Sequence, residues 1–266
     1  MKMARRAAAL VLAAVFLACL WPEALRAVPH DRQFRDAPDA APCRRFPLGT
    51  DELGRDRLAR LLYGTRVSVI AAAAAALLST VLAAAFGGAA GFLGGTADTS
   101  VAALIDVMLS LPWLFLLVIV RAVLPLNTGP LASVVVTFGL IGGLGWPGAA
   151  RVVRASCAAL RRSDFAIEAR ACGLSRGRVL VRHILPHARP VLAAQFRAAI
   201  PIYILAEANL GLLGLGVSDP LPSWGNLLRP LEGAGAAGWA AWSPLLLMLV
   251  VVSCFYVSQP TEVLVR

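Results

Sequence analysis

The sequence predicts an all-α membrane protein with six transmembrane helices. Three observations carry that. Of 266 residues, 59% are hydrophobic and only 15% charged, and the mean hydropathy is +0.74, far above the range of soluble domains. Six apolar stretches can be laid out, at about 7–21, 67–93, 99–120, 131–150, 190–216 and 238–258. All but the first reach the roughly 20 helical residues that a bilayer requires. The 23 glycines and many alanines suit helices that approach closely in lipid.

Taken in order, the first stretch is short and follows Lys2, Arg5 and Arg6. With Ala24-Leu-Arg-Ala27 behind it, it reads either as a retained membrane segment within residues 1–28 or as a cleaved signal peptide. Either way the next segment starts outside. Residues 29–66 form that outer loop, in a region where eight arginines between 22 and 63 mix with seven acids, and five prolines lie between 22 and 47. That composition predicts an extended, solvent-facing loop. Residues 67–258 form the five-helix core, and 259–266 a cytoplasmic tail.

Alternation then puts the segment 151–189 in the cytoplasm. It carries nine arginines against two acids, Asp164 and Glu168. Lysine and arginine total 13 inside and 10 outside in this topology, a small margin in favour of the orientation. The segment is punctuated as two short helices. Ser163 caps the first and Gly173 ends it in a left-handed conformation; Ser175 caps the second and Pro186 stops it. Phe165, Ala169 and Cys172 then share one face, at the spacing of a helix that lies in a partner's groove. The competing reading is a loop made basic only to fix topology.

Several function classes are excluded or weakened. The net charge of +10 does not indicate nucleic-acid binding, because the arginines lie beside membrane spans without interleaved aromatic residues. Lys2 is the only lysine, so a phosphate loop of the form G-x-x-x-x-G-K-[ST] cannot exist here, and any ATP must be hydrolysed by another chain. Five widely spaced cysteines support neither a disulfide framework nor a zinc site. His183 and His187 have a metal-ligand spacing, but Pro186 between them interrupts the helix that spacing assumes. No catalytic set, metal site or cofactor is expected.

Three polar residues inside apolar stretches are candidate pathway groups: Asp106, Glu207 and Asn209. Intramembrane carboxylates are costly and face protein or water. For Asp106 the alternative is a structural pair with a loop arginine. Glu207 stands about three helical turns from Arg197, too far to pair with it.

Phe46-Pro-Leu-Gly-Thr-Asp-Glu-Leu-Gly-Arg-Asp56 and Arg60-Leu-Leu-Tyr-Gly-Thr-Arg-Val-Ser68 resemble the outer-loop signature of the second, C-type permease subunit of dipeptide, oligopeptide and nickel ABC importers. Three further matches follow in order. They are Asp98 and Asp106 before Leu111-Pro112; Gly173 with Arg182-His-Ile-Leu-Pro186; and Leu205-Ala-Glu-Ala-Asn-Leu-Gly-Leu-Leu-Gly-Leu-Gly216 before Pro222-Ser-Trp-Gly225. The resemblance runs from about Phe46 to Ser258. It implies a type I importer permease in a bacterial inner membrane, with a cytoplasmic coupling helix carrying Phe165, Glu168, Ala169, Cys172 and Gly173. The implied partners are a second permease, two ATP-binding subunits and an external solute-binding protein.

Two departures stand out. Ile167 occupies the place of the family's coupling glutamate, with Glu168 one position later, and a helix turns about 100° per residue. The family's Gly-Asp and Leu-Asp-Pro-Arg ending is replaced by Gln259-Pro-Thr-Glu-Val-Leu-Val-Arg266. Peptide import is the expected function, with nickel or another small solute as the alternative within the class. An ion-coupled secondary transporter would need more intramembrane carboxylates, and a membrane enzyme would need a catalytic set.

Overall fold

A computed structural model describes residues 2–20, 28–125, 129–232 and 239–258. The possible cleavage motif at 24–27 and the altered ending at 259–266 lie outside the described residues, as do Trp21 and Gly238 at the ends of two apolar stretches. Among the described residues the structure is helical, with two isolated β-bridges, Gln33 to Arg55 and Thr50 to Asp56. Five helices are long and apolar enough to cross a membrane, six if a bent pair counts as one span.

The chain forms two contact units. The first comprises Met1–Ala72, Arg121–Phe138 and Pro201–Gln259. Helix α1 (Lys2–Leu20) packs along the last helix of the chain. Helix α2 (Arg57–Leu82) begins here and continues through a π-helical turn (Ala83–Gly88) to Leu93. Its start is set by Asp56, whose Oδ1 accepts hydrogen bonds from the Leu58 and Ala59 amides at 2.9 and 3.3 Å, an N-cap that satisfies two otherwise open donors.

The second unit includes Ala73–Val120 and Gly139–Ile200. Helix α3 (Gly95–Ser110) and helix α4 (Trp113–Val123) meet at 84°. The expected third span, 99–120, is therefore not one straight helix. The physical cause is Pro112, which lacks an amide donor and drives Leu111 out of the helical region, to φ −87°, ψ 137°.

Helix α5 (Pro130–Leu144) leads into helix α6 (Trp146–Leu160), a helical path of 31 residues. It passes the expected limit at Ala150 because Trp146, Ala150, Val153 and Cys157 continue one buried face into the basic segment. That face and the continuation of α2 touch almost backbone to backbone. A Cβ at Gly87 or Gly91 would overlap the carbonyl oxygen of Ala150 or Arg154, so this G-x-x-x-G pair is a close-packing device.

Helix α7 (Asp164–Ala171) follows. A single helical turn, Arg176–Val179, then widens into a π-helical turn over Leu180–Ile184 and runs on through Leu185–His187. Pro186 thus lies within a helical path and does not stop it. The wide turn before it removes the regular i to i−4 bond that proline would break. Helix α8 (Arg189–Leu212) contains Pro201 and contributes to both units. The remaining helices, α9 (Trp224–Leu228) and α10 (Ser243–Ser258), belong to the first.

Candidate functional site

Residues 28–56, expected as an extended outer loop, are folded and largely not extended. Gly49 and Gly54 take φ of +72° and +73°, conformations that close turns without a Cβ penalty. Asp51 holds the second turn, its Oδ1 accepting from the Leu53 and Arg55 amides at 3.1 and 2.8 Å. Thr50 accepts from the Ala40 amide at 2.8 Å and donates to the Ala37 carbonyl. Proline and charge content predicted an open chain here; these local side-chain bonds and the buried Phe46 oppose it.

An ion-pair cluster ties this loop to the segment after α8. Arg55 pairs with Asp51 at 2.6 Å and with Asp219 at 3.2 Å, and Arg60 reaches the same Asp219 oxygen at 3.1 Å. The His30 ring packs on Tyr63, with centroids 4.6 Å apart. Burial holds the His30 imidazole below its ordinary pKa; nearby Asp31 opposes that shift, while Arg60 and Arg55 reinforce it.

Beneath this cluster, Glu207 on α8 is fully buried. Its carboxylate accepts from Ser223 Oγ at 2.7 Å, Ser68 Oγ at 3.2 Å and the Gly225 amide at 3.3 Å. Trp224, also fully buried, donates from its indole to Thr65 Oγ1 at 3.0 Å and from its amide to Ser68 Oγ at 2.9 Å. Ser223 caps α9 in a reciprocal capping box with Asn226. The buried carboxylate therefore joins α2, α8 and α9, and it lines no open path in this structure. Asn209 is exposed, its amide donating to the Leu205 carbonyl at 2.7 Å.

In the second unit, α7 is rooted in a core cluster by Ala166 and Ala169, with Phe165 packed against it. Phe165 also stacks on His187, at 4.3 Å and 16°. Phe165 and Ala169 thus face this chain, whereas Ile167 (51% exposed), Glu168, Ala171 and Cys172 face outward. The face expected to carry Phe165, Ala169 and Cys172 together is split. Gly173 does end the helix, at φ +80°, with its amide bonding the Arg170 carbonyl and the Leu174 amide bonding that of Ala169. The Ser163 and Ser175 side chains do not cap their helices. The Ser163 hydroxyl instead donates back to the Leu160 carbonyl at 2.6 Å.

Asp106 forms an ion pair with Arg151, and Asp98 one with Arg154 at 2.7 Å. Of the two readings of Asp106, the structural pair with an arginine is the one present. His187 Nδ1 lies 2.7 Å from the His183 carbonyl oxygen, and no group of three or more potential metal ligands occurs among the described residues.

Sequence reasoning missed Asp219, Thr65, Ser68 and Ser223 as members of one network. Arg55 and Asp219 stand 164 positions apart, so no local pattern links them; the signal was only that each lies in or beside a motif.

Comparison with known proteins places this arrangement. Residues 83–260, more than half of the chain, match the family described as "Binding-protein-dependent transport system inner membrane component". The chain is 30% identical over 211 residues to the oligopeptide transport system permease protein OppC of Haemophilus influenzae, covering 78% of this chain and 65% of that one. It is 35% identical over 213 residues to the dipeptide transport system permease protein DppC of the same organism, covering 79% and 70%. Bacillus subtilis DppC is 31% identical over 179 residues, covering 67% and 54%. The chain thus spans between 54% and 70% of the length of these relatives. With several membrane-spanning helices and a family match across both contact units, this chain belongs to the binding-protein-dependent transport system inner membrane component family.

Proposed function

We propose that this chain is the C-type permease subunit of an ATP-binding-cassette importer that moves peptides across a bacterial inner membrane. It acts beside a second permease, two ATP-binding subunits and an external solute-binding protein. The observation that carries this reading is α7. It is an eight-residue polar helix whose inner face is locked into the chain's own core while its outer face, Ile167, Glu168, Ala171 and Cys172, is left open. Such a helix transmits displacement of whatever grips its outer face to the helices that hold its root.

ATP binding in the partner closes the ATP-binding pair, moves the groove around α7 and biases the permease pair between inward and outward states. That differential contact is what allows the nucleotide to shift the equilibrium. The clamped outer loop, with the Arg55–Asp219–Arg60 cluster, supplies a shaped surface for the external binding protein. Ile167 and Glu168 share the open outer face of α7, so its contact combines an apolar side chain with a carboxylate displaced by about 100° around the helix. In this topology the segment 151–189 faces the cytoplasm and the segment 29–66 faces outward.

Peptides are favoured over nickel because the similar proteins carry dipeptide and oligopeptide names. An ion-coupled transporter is disfavoured because Asp106 and Glu207, its available coupling carboxylates, are both engaged. The test is uptake of labelled di- and oligopeptides by proteoliposomes containing the full complex. Uptake and ATP hydrolysis should both require the ATP-binding subunits. Gradient-driven peptide uptake by permeases alone, or ATP turnover proportional to this chain alone, contradicts the proposal.

A further inference from the structure

A cavity of about 270 Å³ opens between α1, α2 and α10. Its walls include Phe16 and Cys19 of α1, Thr65, Arg66 and Ile70 of α2, and Phe255 of α10. Among the described residues Arg66 is the one charged residue lining it, and none of their ion pairs involves it.

The position of Arg66 along α2 fixes its depth. It stands immediately before the uncharged run 67–93, which at 1.5 Å per residue is about 40 Å long, more than the roughly 30 Å hydrocarbon core. Arg66 therefore lies at headgroup level and the rest of the cavity lies in the acyl region. Cys19, Thr65 and Arg66 line the same cavity, which sets the end of α1 near Arg66. From Cys19 the cavity runs toward Leu12, about 10 Å along the helix axis.

We propose that this cavity holds an acyl chain of an anionic phospholipid whose phosphate pairs with Arg66. An apolar shaft with one cation at its mouth matches that molecule at both ends. A zwitterionic lipid fills the shaft with less gain at the cation, and an apolar helix from another subunit brings no anion to it. The lipid would bridge the first and last helices, fixing α1 to the core.

The test uses the whole complex in nanodiscs containing either phosphatidylglycerol or phosphatidylcholine with a photoreactive acyl chain, followed by peptide mapping. Phosphatidylglycerol should label cavity-lining segments of α1, α2 and α10 more strongly than phosphatidylcholine. Arg66→Gln should reduce that labelling by about fivefold, the weight of one interfacial cation, and reduce phosphatidylcholine labelling by less. Ala13→Trp, which fills the cavity, should reduce both. Equal labelling by the two lipids, labelling confined to other helices, or cross-links from the cavity to another protein chain would overturn the proposal. The headgroup comparison on the unmodified complex needs no variant, so it stands even where Arg66→Gln fails to assemble.

Discussion

Glu207 Oε1 accepts a hydrogen bond from Ser223 Oγ at 2.7 Å, in an environment with no solvent exposure. The pair holds the start of α9 against α8, and Ser68 and the Gly225 amide complete the carboxylate's coordination. Both hydroxyls can rotate to suit an amide, but the Gly225 N–H can only donate. Glu207→Gln can keep its carbonyl oxygen toward the Gly225 amide and turn its NH2 toward the Ser223 hydroxyl, so it should keep most of the assembly, at a cost of about 1 kcal/mol for the altered bonding. Glu207→Ala removes every acceptor and should lose both complex yield and uptake. Thermal unfolding and uptake of the two variants check this; equal uptake loss in both, with normal assembly, would restore a pathway role.

The Arg151–Asp106 pair has both side chains more than half exposed, where an ion pair contributes about 0–1 kcal/mol. Asp106→Asn, Arg151→Gln and the double variant should behave alike, each with near-normal uptake. A double-mutant cycle of uptake and stability measures this. A severe transport defect specific to Asp106→Asn would return that carboxylate to the pathway.

The outer loop should loosen in acid through His30. Its folded pKa lies below the ordinary value of about 6.5, so between the two values the unfolded loop binds more protons than the folded one. Stability therefore falls as pH drops below about 6.5 and levels off beneath the folded pKa. Amide exchange across 28–56 should be faster at acidic than at neutral pH. His30→Phe keeps a ring against Tyr63 and should remove that component of the difference.

Gly173→Val tests the end of α7. A Cβ at Gly173 meets nothing within 4 Å, so the penalty is conformational, on the order of 1–3 kcal/mol for a branched residue at positive φ. Insertion should persist while uptake falls, because the helix end and Leu174 are displaced. Full uptake by a well-expressed variant would mean that the segment only anchors topology.

The six apolar stretches were readable because hydropathy follows composition, and the Gly173 stop because a left-handed turn suits glycine better than any residue with a Cβ. Hydropathy does not record direction, which is why the 84° bend at Leu111-Pro112 was read as one span. It also weights a charge regardless of the face it occupies. Arg151 and Arg154 therefore appeared to end a helix that their buried neighbours Ala150, Val153 and Cys157 carry onward. The face of α7 was misjudged for a related reason: Ala169 is small enough for either a partner's groove or the chain's own core, and only packing decides. The meeting of Arg55 and Arg60 with Asp219 is a product of tertiary structure that no local spacing encodes.

In the proposed importer an ATP-binding subunit grips the outer face of α7 on the cytoplasmic side. Cys172 is exposed at the end of that helix, so the most direct measurement is its rate of modification by a membrane-impermeant thiol reagent in a variant retaining only this cysteine. No labelling is expected in intact cells, with labelling once the inner membrane is opened and a slower rate when the ATP-binding subunits are bound. Labelling from outside intact cells, or the same rate with and without those subunits, would contradict it.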